Sequence, residues 1–436
     1  MDRKKEVVIV GGGFGGISAA KGLRKSGYNI TIIDRKNHHL FQPLLYQVAT
    51  AALSPGDIAM PIRSIFSKSD NIRTILAEIE SIDSEESRLR FTSGGTMKFD
   101  YLVLAPGAEY NYFGNDDWAS SAPGLKTLDN ALKIRETVLI SLEKAEQLTD
   151  KKARAPFLTY AIIGAGPTGV EMAGAIAEIA KRNMIRDFRN ISPDETRVFL
   201  IEAGPKVLNG YPDELSERAL KDLEGMGVKV RLNSPVINIE KDGVQLESDF
   251  IKTPNIVWAA GVKASPLLQT LNCEYDKMGR AKINRDLTLP GSENIFVIGD
   301  AAYLEDKNGT PLPALAPVAL QQGAYIAKLL KNREKNSETK PFQYVDKGTM
   351  ATIGRAKAVA DIKGFKISGL LAWLIWSVIH IFFLIGYRNR VRVFAEWIWH
   401  YLTFKRGVRL ITERFADRDK VHQDQDNEES VGSGGL

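Results

Sequence analysis

The chain has 436 residues, 44% hydrophobic and 25% charged, enough apolar material for two or more buried cores of an intracellular α/β protein. Its 58 basic and 53 acidic residues leave a net charge of +5; with no Lys/Arg-dense patch this argues against a nucleic-acid partner and suits an anionic membrane surface. A single cysteine, Cys273, excludes a redox-active dithiol, and the five histidines lack paired ligand spacing, so no metal site is expected.

Met1 to Lys5 is polar and the apolar run behind it leads into glycines, so no signal peptide is expected and the product should stay in the cytoplasm. Glu6 to Val10 reads as a buried parallel strand, and Gly11-Gly12-Gly13-Phe14-Gly15-Gly16 follows it. Ile17 to Ser26 has the small and apolar residues of a helix. In such a turn Gly11 permits the tight bend, Gly13 lets backbone approach a pyrophosphate, and Gly16 lets helix pack on strand. The pyrophosphate would rest on the helix N-terminus, where free N–H groups favour an anion. Asn29 to Asp34 reads as the next strand, ending in an acid placed to accept hydrogen bonds from ribose hydroxyls.

The same unit recurs. Thr159 to Gly164 is a strand, Gly164-Ala165-Gly166-Pro167-Thr168-Gly169 a second fingerprint, and Arg197 to Ala203 a strand carrying Glu202. That acid lies further along than usual, because Lys181 to Thr196 reads as a longer helix plus loop. An acid there favours NADH over NADPH, whose 2′-phosphate would face a like charge. Two fingerprints in one chain point to a flavin and a nicotinamide exchanging electrons. Asn294 to Ala302 is an apolar strand ending on Gly299-Asp300, placed to close a flavin site at the ribitol or pyrophosphate side. Val257 to Gly261, with Ala260 and Gly261, reads either as a strand passing the nicotinamide or as ordinary core.

Gly369 to Tyr387 is almost unbroken apolar sequence, with Lys363 and Lys366 before it and Arg388, Arg390 and Arg392 after it. It is long enough to span a bilayer, to lie partly sunk in one leaflet, or to be a buried core helix. The adjoining Arg390 to Phe404 puts Val391, Phe394, Ala395, Ile398 and Leu402 on one helical face and Arg392, Glu396 and His400 on another, which suits a helix in the interface. Trp373, Trp376, Trp397 and Trp399 cluster there, as rings do beside headgroups. From Asp417 the tail is polar and reads as disordered.

Taken with both fingerprints, the segments Asn37 to Ala49 (NHHLFQPLLYQVA), Val170-Glu171, Ile298-Gly299-Asp300 and Met350 to Arg355 (MATIGR) resemble the type II NADH:quinone oxidoreductases over Val7 to about Ile411. The resemblance implies an α/β fold of two Rossmann-like dinucleotide-binding domains with a C-terminal helical membrane-binding segment, FAD and NADH as cofactors, and a membrane quinone as acceptor. It also implies hydride transfer without proton pumping, peripheral attachment on the cytoplasmic side of the cell membrane, and a homodimer. The expected division is 1–155 with 272–336 for FAD, 156–271 for NADH, 337–416 for membrane attachment and 417–436 as tail. Carried onto this sequence, the cofactor contacts are Gly11, Gly13, Phe14, Gly15, Gly16, Asp34, Arg35, Gln42, Ala105, Gly107, Gly164, Gly166, Pro167, Thr168, Gly169, Glu171, Glu202, Ala260, Gly261, Gly299, Asp300, Ala319 and Gln321.

Glu171 resembles the family glutamate beside the nicotinamide, its bland alternative being a favourable acid in a first helical turn. The quinone-side pattern Ala-Gln-x-Ala-x-Gln departs here: Ala316-Pro317-Val318-Ala319-Leu320-Gln321 has proline for the first glutamine, which leaves Gln321 as the quinone-side donor. A soluble reductase of a ferredoxin-like carrier and an NADH-sensing flavoprotein of apoptosis-inducing-factor type are the competing expectations.

Overall fold

Val7, Val8 and Ile9 are wholly buried because the strand Glu6–Val10 lies in the middle of a five-stranded parallel sheet. Its order is Ile72–Leu76, Asn29–Asp34, Glu6–Val10, Tyr101–Leu104 and Ile295–Val297, the last strand returning to the sheet from far down the chain. The second sheet orders Val228–Arg231, Arg197–Ile201, Thr159–Ile163 and Asn255–Trp258, again all parallel. This computed structural model describes residues 3–180, 187–403 and 408–411, without the side chains of 401 and 402.

Both fingerprint helices begin earlier than their residue patterns alone suggest. The first spans Phe14–Gly22 and stops short of Ser26; the second spans Pro167–Glu178, with proline in its first turn, where a missing N–H costs nothing. Part of the stretch before the strand Arg197–Ile201, residues 181–186, lies outside the described residues. The rest closes with a short 3₁₀ turn, Pro193–Glu195, whose Glu195 takes a two-pronged contact from buried Arg154 at 2.7 and 2.8 Å.

Beyond the long helix Ala316–Glu334, the chain forms a three-stranded antiparallel sheet, Thr349–Gly354, Lys357–Ile362 and Phe365–Ser368, then the helices Leu370–Phe383 and Tyr387–Thr403. The apolar run 369–387 is therefore broken by the turn at Leu384 and Gly386, the glycine at φ +92°. Fourteen helical residues cover about 21 Å, short of a hydrocarbon core of about 30 Å. No helix among the described residues is long and apolar enough to cross a membrane.

Nor is the run a core helix. Only Ala372, Trp376 and Ser377 of Leu370–Phe383 are buried, whereas Leu370, Leu371, Leu374, Val378, Phe382 and Phe383 are exposed. On the next helix Val391, Phe394, Ile398 and Trp399 are exposed while Val393 is fully buried. Trp376, Leu384 and Val393 join one core with Phe41, Leu44 and Tyr46 and with Val170 and Met172 of the second fingerprint helix. The antiparallel sheet also rides on that helix: a Cβ at Gly174 would stand 1.6 Å from the Ile353 carbonyl oxygen, so only glycine admits this approach. The tail 417–436 and Phe404 lie outside the described residues.

Candidate functional site

The two fingerprints build one geometry twice. Gly11 N–H donates to Ile33 O at 2.8 Å and Gly164 N–H to Ile201 O at 2.7 Å, tying each turn to its neighbouring strand. Gly11 at φ +105° and Gly164 at φ +98° take a conformation open to glycine alone in practice. A Cβ on Gly16 would lie 1.9 Å from Gly11 O, and one on Gly169 1.8 Å from Gly164 O. By contrast, a Cβ on Gly13 or Gly166 would meet nothing within 4 Å. The middle glycines thus face open space where backbone can meet a bulky anion, and both loops fit a dinucleotide pyrophosphate.

The acids close each unit alike. Asp34 accepts from Gly12 N–H at 2.6 Å and Lys36 N–H at 2.7 Å; Glu202 accepts from Ala165 N–H at 2.7 Å and Gly204 N–H at 2.8 Å. The longer insertion before Glu202 leaves register untouched, since Ile163 pairs with Ile201 as Val10 pairs with Ile33. Ala105 and Ala259 are also equivalent, a Cβ on Gly11 striking Ala105 O and one on Gly164 striking Ala259 O and the Ala260 nitrogen, so Ala260 stands where Pro106 does in the first unit. Gly107 and Gly261 both have positive φ, at +76°. Pro167 is exposed in the first turn and Thr168 half-buried beside it. At the rim Arg35 is paired with Glu78 and Glu109 at 3.6 and 3.5 Å, and exposed Gln42 donates to Lys126 O.

Ser18 and Gly22 of the first fingerprint helix pack into Gly323 and Ala327 of the helix Ala316–Glu334, Ser18 Oγ donating to Leu320 O at 2.8 Å. This brings Ala319 against Gly15 and Gly299, and Lys126 within 3.6 Å of Asp300. Gln322 is buried, and its Oε1 accepts from Gly299 N–H at 2.6 Å. Gln321 points elsewhere. Its amide donates to Val345 O and its carbonyl accepts from Val345 N–H, each at 3.0 Å, so it braces the strap at 345. One of the two N–H groups of the Gln321 amide is thus used within the chain, and Gln322 is the glutamine that reaches the Gly299-Asp300 turn.

Glu171, on the second fingerprint helix, is half-buried, with its carboxyl strongly desolvated by the surrounding protein. Burial pushes its carboxyl up to about 8 against the opposing Thr352 N–H, a donor 3.4 Å away. It is therefore protonated at neutral pH. Tyr211 stands close enough for its own hydroxyl to be pushed up, by burial first and by Glu171 second.

Between these elements runs an aromatic wall that sequence patterns did not foretell. Phe14 meets His39 edge-on at 5.2 Å and Phe41 at 5.8 Å; Phe41 meets His380 at 6.2 Å; His380 stacks on Trp376 at 4.1 Å, and Trp376 on Trp397 at 5.4 Å. Trp397 Nε1 donates to Gln47 Oε1 at 2.8 Å, and Gln47 Nε2 donates to the Tyr46 hydroxyl at 2.9 Å. Burial lowers both His39 and His380 to about 4, so the wall is uncharged at neutral pH. The only hint in the sequence was the aromatic density of 38–46 and 373–399. No group of metal-ligating side chains occurs among the described residues.

Paired dinucleotide loops, a carboxyl and an apolar wall at their seam, and no dithiol define an oxidoreductase of the two-dinucleotide flavoprotein class. A model of the pyridine nucleotide-disulphide oxidoreductases matches residues 5–323, and one of the NDH2 C-terminal domain matches 347–406. The type II NADH:quinone oxidoreductase Ndh of Mycobacterium tuberculosis is 40% identical over 429 residues, 95% of this chain and 92% of that protein. The internal alternative NAD(P)H-ubiquinone oxidoreductase A1 of Arabidopsis thaliana mitochondria is 31% identical over 432 residues, 91% and 84% of the two chains. The solved NDH2 of Plasmodium falciparum in complex with NADH shares the fold at TM-score 0.85 and 21% identity, covering 92% of this chain and 99% of that one. This chain belongs to the type II NADH:quinone oxidoreductase family.

Proposed function

We propose that the seam between the fingerprints, Glu171 and the aromatic wall is where this NADH:quinone oxidoreductase works, and that its C-terminal helices seat the seam on a membrane. FAD and NADH are its cofactors. When bound, FAD would supply the redox chemistry that links hydride acceptance from NADH to two-electron delivery to the quinone, without proton pumping. The chain's own residues do the positioning. Gly11 to Gly16 with Asp34 would hold the flavin dinucleotide, and Gly164 to Gly169 with Glu202 the NADH, with Glu171 in the first turns of the helix that opens from the second loop. Reducing a quinone to a quinol takes two electrons and two protons, and protonated Glu171 holds one proton at that seam. Gln322 fixes the turn at Gly299, and Gln321 fixes the segment at Val345.

The division into 1–155 with 272–336, 156–271 and 337–416 accords with the return of Ile295–Val297 to the first sheet. Attachment to the cytoplasmic face, and pairing of two copies through the C-terminal region, rest on the family likeness; sedimentation equilibrium in detergent reads the second.

The observation carrying the membrane reading is the apolar face that both C-terminal helices turn outward, with Val378 67% and Phe394 54% exposed. Deleting these helices is a poor test, because Trp376, Leu384 and Val393 are part of the main core. The substitutions Val378→Glu and Phe394→Glu together leave that core intact. They are expected to weaken vesicle binding at least about 100-fold, two apolar side chains being worth about 1.5–3 kcal/mol each, while turnover with a water-soluble short-chain quinone persists. Unchanged co-sedimentation with vesicles would overturn the seating.

Nucleotide choice has its own test. Glu202→Gln removes the charge that a 2′-phosphate would meet but keeps an acceptor for the loop, and is expected to narrow the preference for NADH over NADPH by about tenfold in kcat/KM. An unaltered ratio would place the selectivity elsewhere.

A further inference from the structure

Where the two C-terminal helices turn back on the flavin-side sheet, the surface changes from apolar to cationic. The turn seats Ile385 in the core that contains Ile17, Ala20, Ile62 and Phe66, and Gly386 lies against Met60, its Cβ position 3.3 Å from the sulfur. Three cations meet at this corner. Lys21 is in the last turn of the helix Phe14–Gly22. Arg24, just past it, donates from Nη2 to Ile65 O at 2.5 Å and lies 5.0 Å from the Phe66 ring centre, while its Nε is buried with no partner among the described residues. Arg390 donates from Nε to Leu384 O at 2.8 Å and lies 5.8 Å from the Phe382 ring centre.

Aromatic faces hold both guanidinium planes, so their remaining N–H edges are oriented rather than free to swing. Lys21 and Arg24 share the end of one helix, and Arg390 stands one turn past Gly386 beside Ile385, which packs into the core of Ile17; burial first, then the charges of Arg24 and Arg390, lower the Lys21 ammonium from its usual range. None of the three has an ion-pair partner among the described residues. Phe382, Phe383 and Tyr387, all exposed, border the corner from the helix side. Like charges held together beside apolar side chains are costly unless an anion joins them, and an anion tethered to an apolar chain satisfies both surfaces.

We infer that Lys21, Arg24 and Arg390 form a binding site for the phosphate of an acidic phospholipid headgroup, whose acyl chains run beside Phe382 and Phe383. The site deepens the membrane reading above and rests on it. It fixes the rotation of the protein on the bilayer, since only one edge of the apolar face carries the triad.

The test uses full-length, flavin-loaded protein and vesicles of phosphatidylcholine alone or mixed with phosphatidylglycerol. Wild type is expected to prefer the mixed vesicles, and Lys21→Gln with Arg390→Gln to lose most of that preference, about fivefold per cation and about 30-fold for the pair. Lys98→Gln with Lys307→Gln removes the same charge outside the corner and should change the preference far less. Arg390→Lys keeps the charge but not the fork and should fall between. Equal losses in the two double variants would reduce the site to diffuse attraction and overturn it. So would displacement from mixed vesicles by millimolar inorganic phosphate beyond the effect of matched chloride, which would identify a free-phosphate site instead. Wild type that binds both vesicle types equally sinks the headgroup site alone, whereas wild type that binds neither sinks the membrane reading itself.

Discussion

Alanine at Gly169 is expected to give protein that keeps its flavin but is reduced by NADH at least about 100-fold less efficiently, while alanine at Gly16 is expected to give protein without flavin. Each new Cβ would sit 1.8 or 1.9 Å from a backbone oxygen of the same loop, Gly164 O or Gly11 O. Neither contact has a rotamer to relieve it, so strand-to-helix turn and helix must separate, at about 1–3 kcal/mol or more. The separation also moves the helix N-terminus away from the pyrophosphate it would hold. A displacement of about 1 Å in positioning groups is worth about 100-fold in rate, so kcat/KM for NADH should fall at least that far in Gly169→Ala with visible flavin absorbance unchanged. Gly166→Ala is the companion: its Cβ meets no protein atom, so melting should hardly move, yet NADH affinity should drop because the methyl enters the anion's space. Wild-type NADH kinetics in Gly169→Ala would refute the assignment of the second loop.

The features that were legible in the sequence are those set by backbone chemistry over short distances. The glycine turns could be read because each glycine answers one local demand, and Glu202 could be read despite its long approach because strand pairing, not chain length, sets where a strand ends. What escaped was set by helical phase and by distant partners. Gln321 and Gln322 are adjacent on one helix, about 100° apart, and the strap at Val345 decides which of them turns away from Gly299. The tryptophans divide for the same reason: Trp376 is buried, Trp397 is bonded to Gln47, and Trp399 is 57% exposed, although all three look alike as interface residues. Arg392, read as part of a polar face, instead reaches buried Asp57 at 3.5 Å and helps clamp its helix to the flavin side. The exposed stripe Val391, Phe394 and Ile398 was visible as periodicity because exposure along a helix repeats every three to four residues.

The quinone rate should carry a limb falling above pH 8 that Glu171→Gln removes. The Glu171 carboxyl, pushed by burial from an ordinary 4.5 up to about 8, keeps its proton through neutral pH, and only the protonated form can supply one to the quinone. Above pH 8 the wild-type rate should drop by up to tenfold per pH unit, and the glutamine variant should be slower but flat. Ferricyanide accepts electrons without protons, so its reduction should show no such limb in either protein. Stability runs the same way. Below pH 4.5 the group is protonated folded or unfolded and contributes nothing; between 4.5 and 8 the unfolded chain releases a proton that the folded chain retains, so stability declines as pH rises, then levels off. Each unit is worth roughly 1.4 kcal/mol at most, and the residue's partial exposure reduces this, so Glu171→Gln should be more stable than wild type by about 2 kcal/mol at pH 9 and by almost nothing at pH 4. Thermal melts of the flavin-loaded proteins across that range read the crossover. A stability gap independent of pH, or a quinone limb that survives in the glutamine variant, would remove Glu171 from the proton path and leave it a structural acid of the helix.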